Sequence, residues 1–157
     1  MEIQRGIHIL EVDAAGERLR GDGKASDETS LHVEIVKKRG AGSVLHTHSV
    51  WGTILSQTHA GAGGFALEGY EMLKGLAGVK THEHREWLPV LANTQDYVAL
   101  VRDLAESLDR HPECHGLLLA GHGLYTWGRD VMEAKRHVDI LEFLFEVRGR
   151  LLAAGRG

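Results

Sequence analysis

The stretch GLLLAGHGLYTW, Gly116 to Trp127, reads as a strand, a turn and a second strand. Gly116–Ala120 is a continuous apolar run, the pattern of a strand buried in a sheet. Gly121-His122-Gly123 interrupts it as a tight turn, because glycine adopts backbone conformations closed to other residues. Leu124–Trp127 returns as a strand. A histidine between two glycines, directly after a buried strand, is thereby carried to the end of a sheet.

The flanking segments extend this unit into a layered fold. Downstream, Asp130 begins a helix in which Val131, Ala134, Val138, Leu141 and Phe145 recur at spacings of 3 and 4, ending near Leu152. Upstream, Thr94 caps a helix through Asp109 with Val98, Val101, Leu104, Ala105 and Leu108 inward. Glu86–Leu91 is a strand whose proline favours an edge position. Glu68–Ala77 reads as a helix ended by Gly78, and HAGAGGF, His59 to Phe65, as a flexible loop. Val50–Ser56 starts a helix after a short strand at Ser43–His48. Ser26 is the expected N-cap of a further helix, with Asp27 and Glu28 in its first turn and Leu31 and Ile35 in contact. Lys37, Lys38 and Arg39 close that helix before Gly40. The chain opens with a hairpin-like pair, Ile7–Val12 and Arg18–Arg20, around a turn at Asp13–Gly16. Strands and helices mix throughout, so the class is α/β or α+β with helices covering a sheet.

Composition limits the function. The 157 residues suit one domain spanning 1–157, with a core that needs no disulfide; the lone Cys114 fits a reducing cytoplasm and reads as an inert thiol. A net charge of −4 argues against general nucleic-acid binding. No run approaches the roughly 20 apolar residues of a membrane span.

Eleven histidines direct attention to metal chemistry. His46 and His48, two apart on a strand, share a face and suit one metal ion when neutral. His122 at its glycine turn supplies a third imidazole. Three histidines with an open fourth position form the pattern of a catalytic zinc. Two carboxylates stand out beside them. Glu28 lies at a helix start, where dipole complementarity alone explains it, and Glu71 lies beside Lys74 on a solvated helix face. Next to a Lewis acid, either carboxylate is able to move protons. A second HxH, His82 and His84, is the weaker metal candidate. His8, His59, His111, His115 and His137 show no partner at ligand spacing.

LHTHS (Leu45–Ser49), GYEMLKGLAG (Gly69–Gly78), THEHREWLPV (Thr81–Val90) and the block from Gly121 to Leu144 together resemble the class II aldolase/adducin family, in its dehydratase branch. The resemblance runs from about Ser26 to Glu146. It implies an αβα three-layer sandwich with a mostly antiparallel central sheet. It also implies a cytoplasmic lyase that removes water from 5-methylthioribulose 1-phosphate in methionine salvage. By the same resemblance, His46, His48 and His122 hold one Zn2+ per subunit, and Glu71 is the acid/base. Glu28 is a second base or metal neighbour, and Ser26 a phosphate neighbour. Ser26-Asp27-Glu28 departs at its middle residue from the Ser-Ser-Glu of the family's aldolases. The family's leading phosphate-holding segment has no counterpart before Ile7, so the chain reads as lacking it. The expected partners are a small sugar phosphate and further copies of the chain, as a tetramer, with no nucleic acid and no membrane. Two other readings remain: a zinc-dependent sugar-phosphate aldolase or epimerase using Glu28, and an inactive adducin-like module acting through oligomer contacts.

Overall fold

A computed structural model describes residues 9–155. Ile7 and His8 lie outside the described residues. The start of the chain forms a two-stranded antiparallel ribbon, β1 (Glu11–Val12) with β2 (Arg18–Arg20), shorter than the expected pair.

The body is a five-stranded sheet of β3 (Ser43–Thr47), β4 (Gly64–Glu68), β5 (Arg85–Leu91), β6 (Gly116–Leu119) and β7 (Gly123–Gly128). Its spatial order is β3-β7-β6-β5-β4, and every pairing is antiparallel except β5 with β6. Successive side chains of the central hairpin alternate between two cores, as a pleated strand requires. Leu117, Leu119, Tyr125 and Trp127 face α1 (Thr29–Arg39) and α3 (Tyr97–Arg110), where Leu31, Ile35, Leu100, Leu104 and Leu108 cover them. Leu118 and Leu124 face α2 (Val50–His59) and α4 (Val131–Ala153), packing with Leu55, Leu141, Leu144 and Phe145. The expected αβα sandwich with a mostly antiparallel sheet is the architecture found.

Several local readings change. The segment read as a flexible loop is a 3-10 turn at Ala60–Ala62 leading into β4, and the expected helix at Glu68–Ala77 shrinks to a 3-10 turn, Glu71–Gly75. β5 is not an edge strand, because β4 covers it. Val90 N–H bonds across to Gly63 on the β4 side, which turns the Pro89 nitrogen toward β6, and the β6 ladder begins only at Val90. The proline therefore interrupts no ladder bond. α1 starts three residues after Ser26, with Glu28 at its N-cap; the Ser26 Oγ accepts from Glu28 N–H at 3.3 Å and turns the chain ahead of the helix. Asp96, not Thr94, caps α3, and its buried face is Leu100, Leu104, Ser107 and Leu108, leaving Val98 exposed. In α4, Val131 is also exposed. Among the described residues, no helix is long and apolar enough to cross a membrane.

Candidate metal centre

The end of β3, the start of β7 and the turn before it converge. His46 lies on β3 opposite Tyr125, His48 follows the strand, and His122 stands on the turn, where Gly121 takes φ +66°. One ring nitrogen from each histidine lies within 4.8 Å of the others. Gly123 makes this approach possible. A Cβ there would sit 2.3 Å from the Thr47 carbonyl, 2.8 Å from the His48 ring and 2.9 Å from the His46 ring. The glycine is thus required by the rings packed against it as well as by the turn.

The hydrogen bonds fix where the lone pairs point. His46 Nδ1–H donates to the Leu124 carbonyl at 2.9 Å, so its Nε2 carries the lone pair. That Nε2 lies 2.8 Å from His48 Nε2. Burial keeps the His46 pKa below the usual histidine value, against smaller opposing contributions from the Leu124 carbonyl and Glu28. A neutral imidazole with its outer nitrogen tied to a carbonyl is the form that ligates zinc. Tyr125 stacks on the His46 ring at 4.0 Å between centroids, and Thr47 Oγ1 donates to Glu142 at 2.8 Å, anchoring β3 to α4. The donor set fits a zinc ion with an open position.

Glu28, at the head of α1, joins this group. Its Oε1 is 3.1 Å from His122 Nε2 and its Oε2 is 3.6 Å from His46 Nε2. Burial, then the neighbouring Glu28 carboxylate, pushes the Tyr125 hydroxyl pKa up. A cleft of about 470 Å³ opens beside Glu28, lined by Lys24, Ser26, Thr29 and His32 among others. Lys24 and His32 were not singled out by the sequence, since neither lies in a motif.

Glu71 is elsewhere. It follows β4, the edge strand opposite β3, and leaves that strand at the end of the sheet remote from His122. Four strand spacings, about 19 Å, separate β4 from β3 sideways, and Glu71 also lies at the opposite end of the sheet from the histidines. Its carboxylate pairs with Lys74 and, at 3.3 Å, with His82; the Lys74 hydrogen bond chiefly lowers its pKa. Cys114 is buried, and burial pushes its thiol up to about 11, the inert state expected of it.

The fold and site together make the chain a three-layer αβα domain with three convergent histidines at one end of its sheet. Residues 2–148 match the family model "Class II Aldolase and Adducin N-terminal domain", and the chain belongs to that family. It is 45% identical over 139 residues to a methylthioribulose-1-phosphate dehydratase of Marinobacter nauticus, covering 88% of this chain and 67% of that one. It is 46% identical over 144 residues to the enzyme of the same name from Methylococcus capsulatus, covering 91% and 69%. Among solved structures, an L-fuculose 1-phosphate aldolase superposes with a TM-score of 0.70 at 19% identity, over 93% of this chain and 62% of that one. The L-fuculose-1-phosphate aldolase from Thermus thermophilus gives 0.59 at 26%, over 94% and 69%.

Proposed function

We propose that this chain is a zinc-dependent lyase that dehydrates 5-methylthioribulose 1-phosphate to the 2,3-diketo-5-methylthiopentyl 1-phosphate, a cytoplasmic step of methionine salvage. The observation that carries the reading is the convergence of His46, His48 and His122 beside Glu28, in a chain 45% identical to a dehydratase of that name. One zinc ion held by the three imidazoles would supply Lewis-acid polarisation of the substrate carbonyl and its neighbouring hydroxyl. The chain's own groups do the rest. His46 holds its orientation through Leu124, and Glu28 meets the His122 ring at Nε2. A carboxylate takes the C3 proton, the C4 hydroxyl leaves with a proton as water, and the resulting enol tautomerises to the diketone. Ser26, with Lys24 beside it in the cleft, meets the phosphate.

Glu71 serves as acid/base only from a neighbouring copy, since its own histidines lie across the sheet. This reading makes the active form a homo-oligomer, a tetramer by the resemblance, with sites between subunits. Mixing His46→Ala with Glu71→Gln protein, each inactive alone, then restores dehydration. Absence of restored activity after subunit exchange removes Glu71 from the mechanism.

One observation favours a second reading. Glu28 is the carboxylate beside the histidines within a single chain, which is the arrangement expected for a sugar-phosphate aldolase or epimerase. An assay on purified protein separates the two: dehydration gives one diketo phosphate, whereas aldol cleavage gives two carbonyl products.

A further inference from the structure

A second cluster lies at the other end of the sheet, where β5 and β6 begin. His84 and Glu86 stand two residues apart at the entry to β5, and His115 immediately precedes β6. The parallel register that pairs Val90 with Leu118 brings Glu86 to the segment Cys114–His115, where it bonds His115. Glu86 Oε2 is 2.8 Å from His84 Nε2 and 2.9 Å from His115 Nδ1, and one ligand atom from each residue falls within 4.8 Å of the others.

We propose that His84, Glu86 and His115 form a second divalent-metal site, of the kind that takes zinc. Two histidines and one glutamate make an established zinc ligand set. The outer atoms are already committed as such ligands require. His115 Nε2–H donates to the Ala77 carbonyl at 2.8 Å, directing the Nδ1 atom at the cluster. Glu86 Oε1 accepts the His115 backbone N–H at 2.7 Å, fixing the carboxylate plane. A cavity of about 820 Å³ lies beside the cluster, and its wall includes His84, Glu113, His115 and His137.

Charge supplies the reason for a cation here. The Glu86 side chain is 0% exposed, and a buried carboxylate needs a positive partner. Without metal, that partner is His115 itself. Both of its ring nitrogens face acceptors, Glu86 Oε2 and the Ala77 carbonyl, so both carry protons and the ring is an imidazolium. The nearest ring is His137, 5.2 Å away on α4, and it is neutral by the same logic: Nδ1–H donates to Trp127 O, and Nε2 accepts from Ala77 N–H. Glu113 and the Cys114 thiol are the other titratable groups near His115 on its own segment. A metal ion takes the place of the His115 Nδ1 proton, while His84 moves its Nε2 proton to Nδ1. One proton is released for each ion bound.

The test is metal stoichiometry on the full chain titrated with zinc, with free metal removed by dialysis and bound zinc measured by mass spectrometry. The expected result is two zinc ions per chain for wild type and one for each of His46→Ala, Glu86→Gln and His84→Ala. His84 is partly exposed, so His84→Ala keeps the test valid if Glu86→Gln folds poorly. One ion per chain in wild type, lost only in His46→Ala, overturns the proposal and leaves a proton-bridged cluster. A second ion that persists in both Glu86→Gln and His84→Ala also overturns it. Failure of the first site is read separately, as two ions retained in His46→Ala.

Discussion

His122 leaves β6 at one end and His115 enters it at the other, so one strand presents a histidine cluster at each tip. At the first tip, three imidazoles crowd around Gly123, Glu28 lies 3.1 Å from one of them, and burial holds the His46 pKa down. One ring nitrogen of each histidine converges on the others, an arrangement that suits a cation. At the second tip, a buried carboxylate sits at the centre and protons already bridge it to two histidines. On the proposed readings, the first cluster would take a metal through rings already turned toward one another beside Glu28, whereas the second would take it in exchange for a proton.

Removing a ligand at the first tip is the largest expected effect. His46→Ala should weaken zinc by more than the roughly 10–100-fold typical of outer-shell changes and abolish dehydration. Full zinc occupancy in that variant would remove His46 from the ligand set. Glu28→Gln keeps the metal but should lower turnover by roughly 10²–10⁴ if the carboxylate moves a proton; unchanged turnover assigns it an orienting role alone. At the second tip, Glu86→Leu breaks a buried pair and should cost about 3–5 kcal/mol in denaturant unfolding of metal-free protein. A loss below about 1 kcal/mol would show that His115 is not charged there. Gly123→Ala should cost about 1–3 kcal/mol, because its Cβ would press on the Thr47 carbonyl and two ligand rings. It should also weaken zinc, whereas wild-type zinc affinity would show that the rings tolerate the added methyl.

The second tip also sets a pH signature in metal-free protein. Burial alone would raise Glu86, but the hydrogen bond and charge of His115, then the His84 hydrogen bond, outweigh it and hold the carboxyl below its usual range. Its stabilising contribution is present above about pH 4.3 and is lost as pH falls through the lowered folded value. Burial alone would lower His115, but Glu86 outweighs it and raises the imidazole. That contribution is present below about pH 6.5 and is lost as pH rises through the raised folded value. Stability of wild type measured against pH should therefore fall at both limbs, and Glu86→Gln should flatten both. Parallel profiles for the two proteins would contradict the pairing.

The first tip was legible in the sequence and the second was not, for a physical reason. His46-Thr47-His48 and Gly121-His122-Gly123 carry local signals, a strand period and a turn, and each places its imidazoles without help from distant segments. The second cluster depends on a parallel pairing between segments 29 residues apart, and its centre is a glutamate, not a histidine. His82, read as the partner of His84, instead meets Glu71 at 3.3 Å. β4 was missed because the glycines between His59 and Phe65 resemble a loop, while the strand's apolar content is met by β5 and the core rather than by its neighbours in sequence. The early start assigned to α1 followed from Ser26, whose hydroxyl does accept a backbone N–H, but in the turn ahead of the helix.

The central claim is dehydration at the His46–His48–His122 centre. Its most direct test is the product formed when zinc-loaded wild-type and His46→Ala proteins meet 5-methylthioribulose 1-phosphate. The account predicts a single diketo phosphate from wild type and none from His46→Ala. Cleavage into two carbonyl products, or no turnover by wild type with its first site fully loaded, would contradict it.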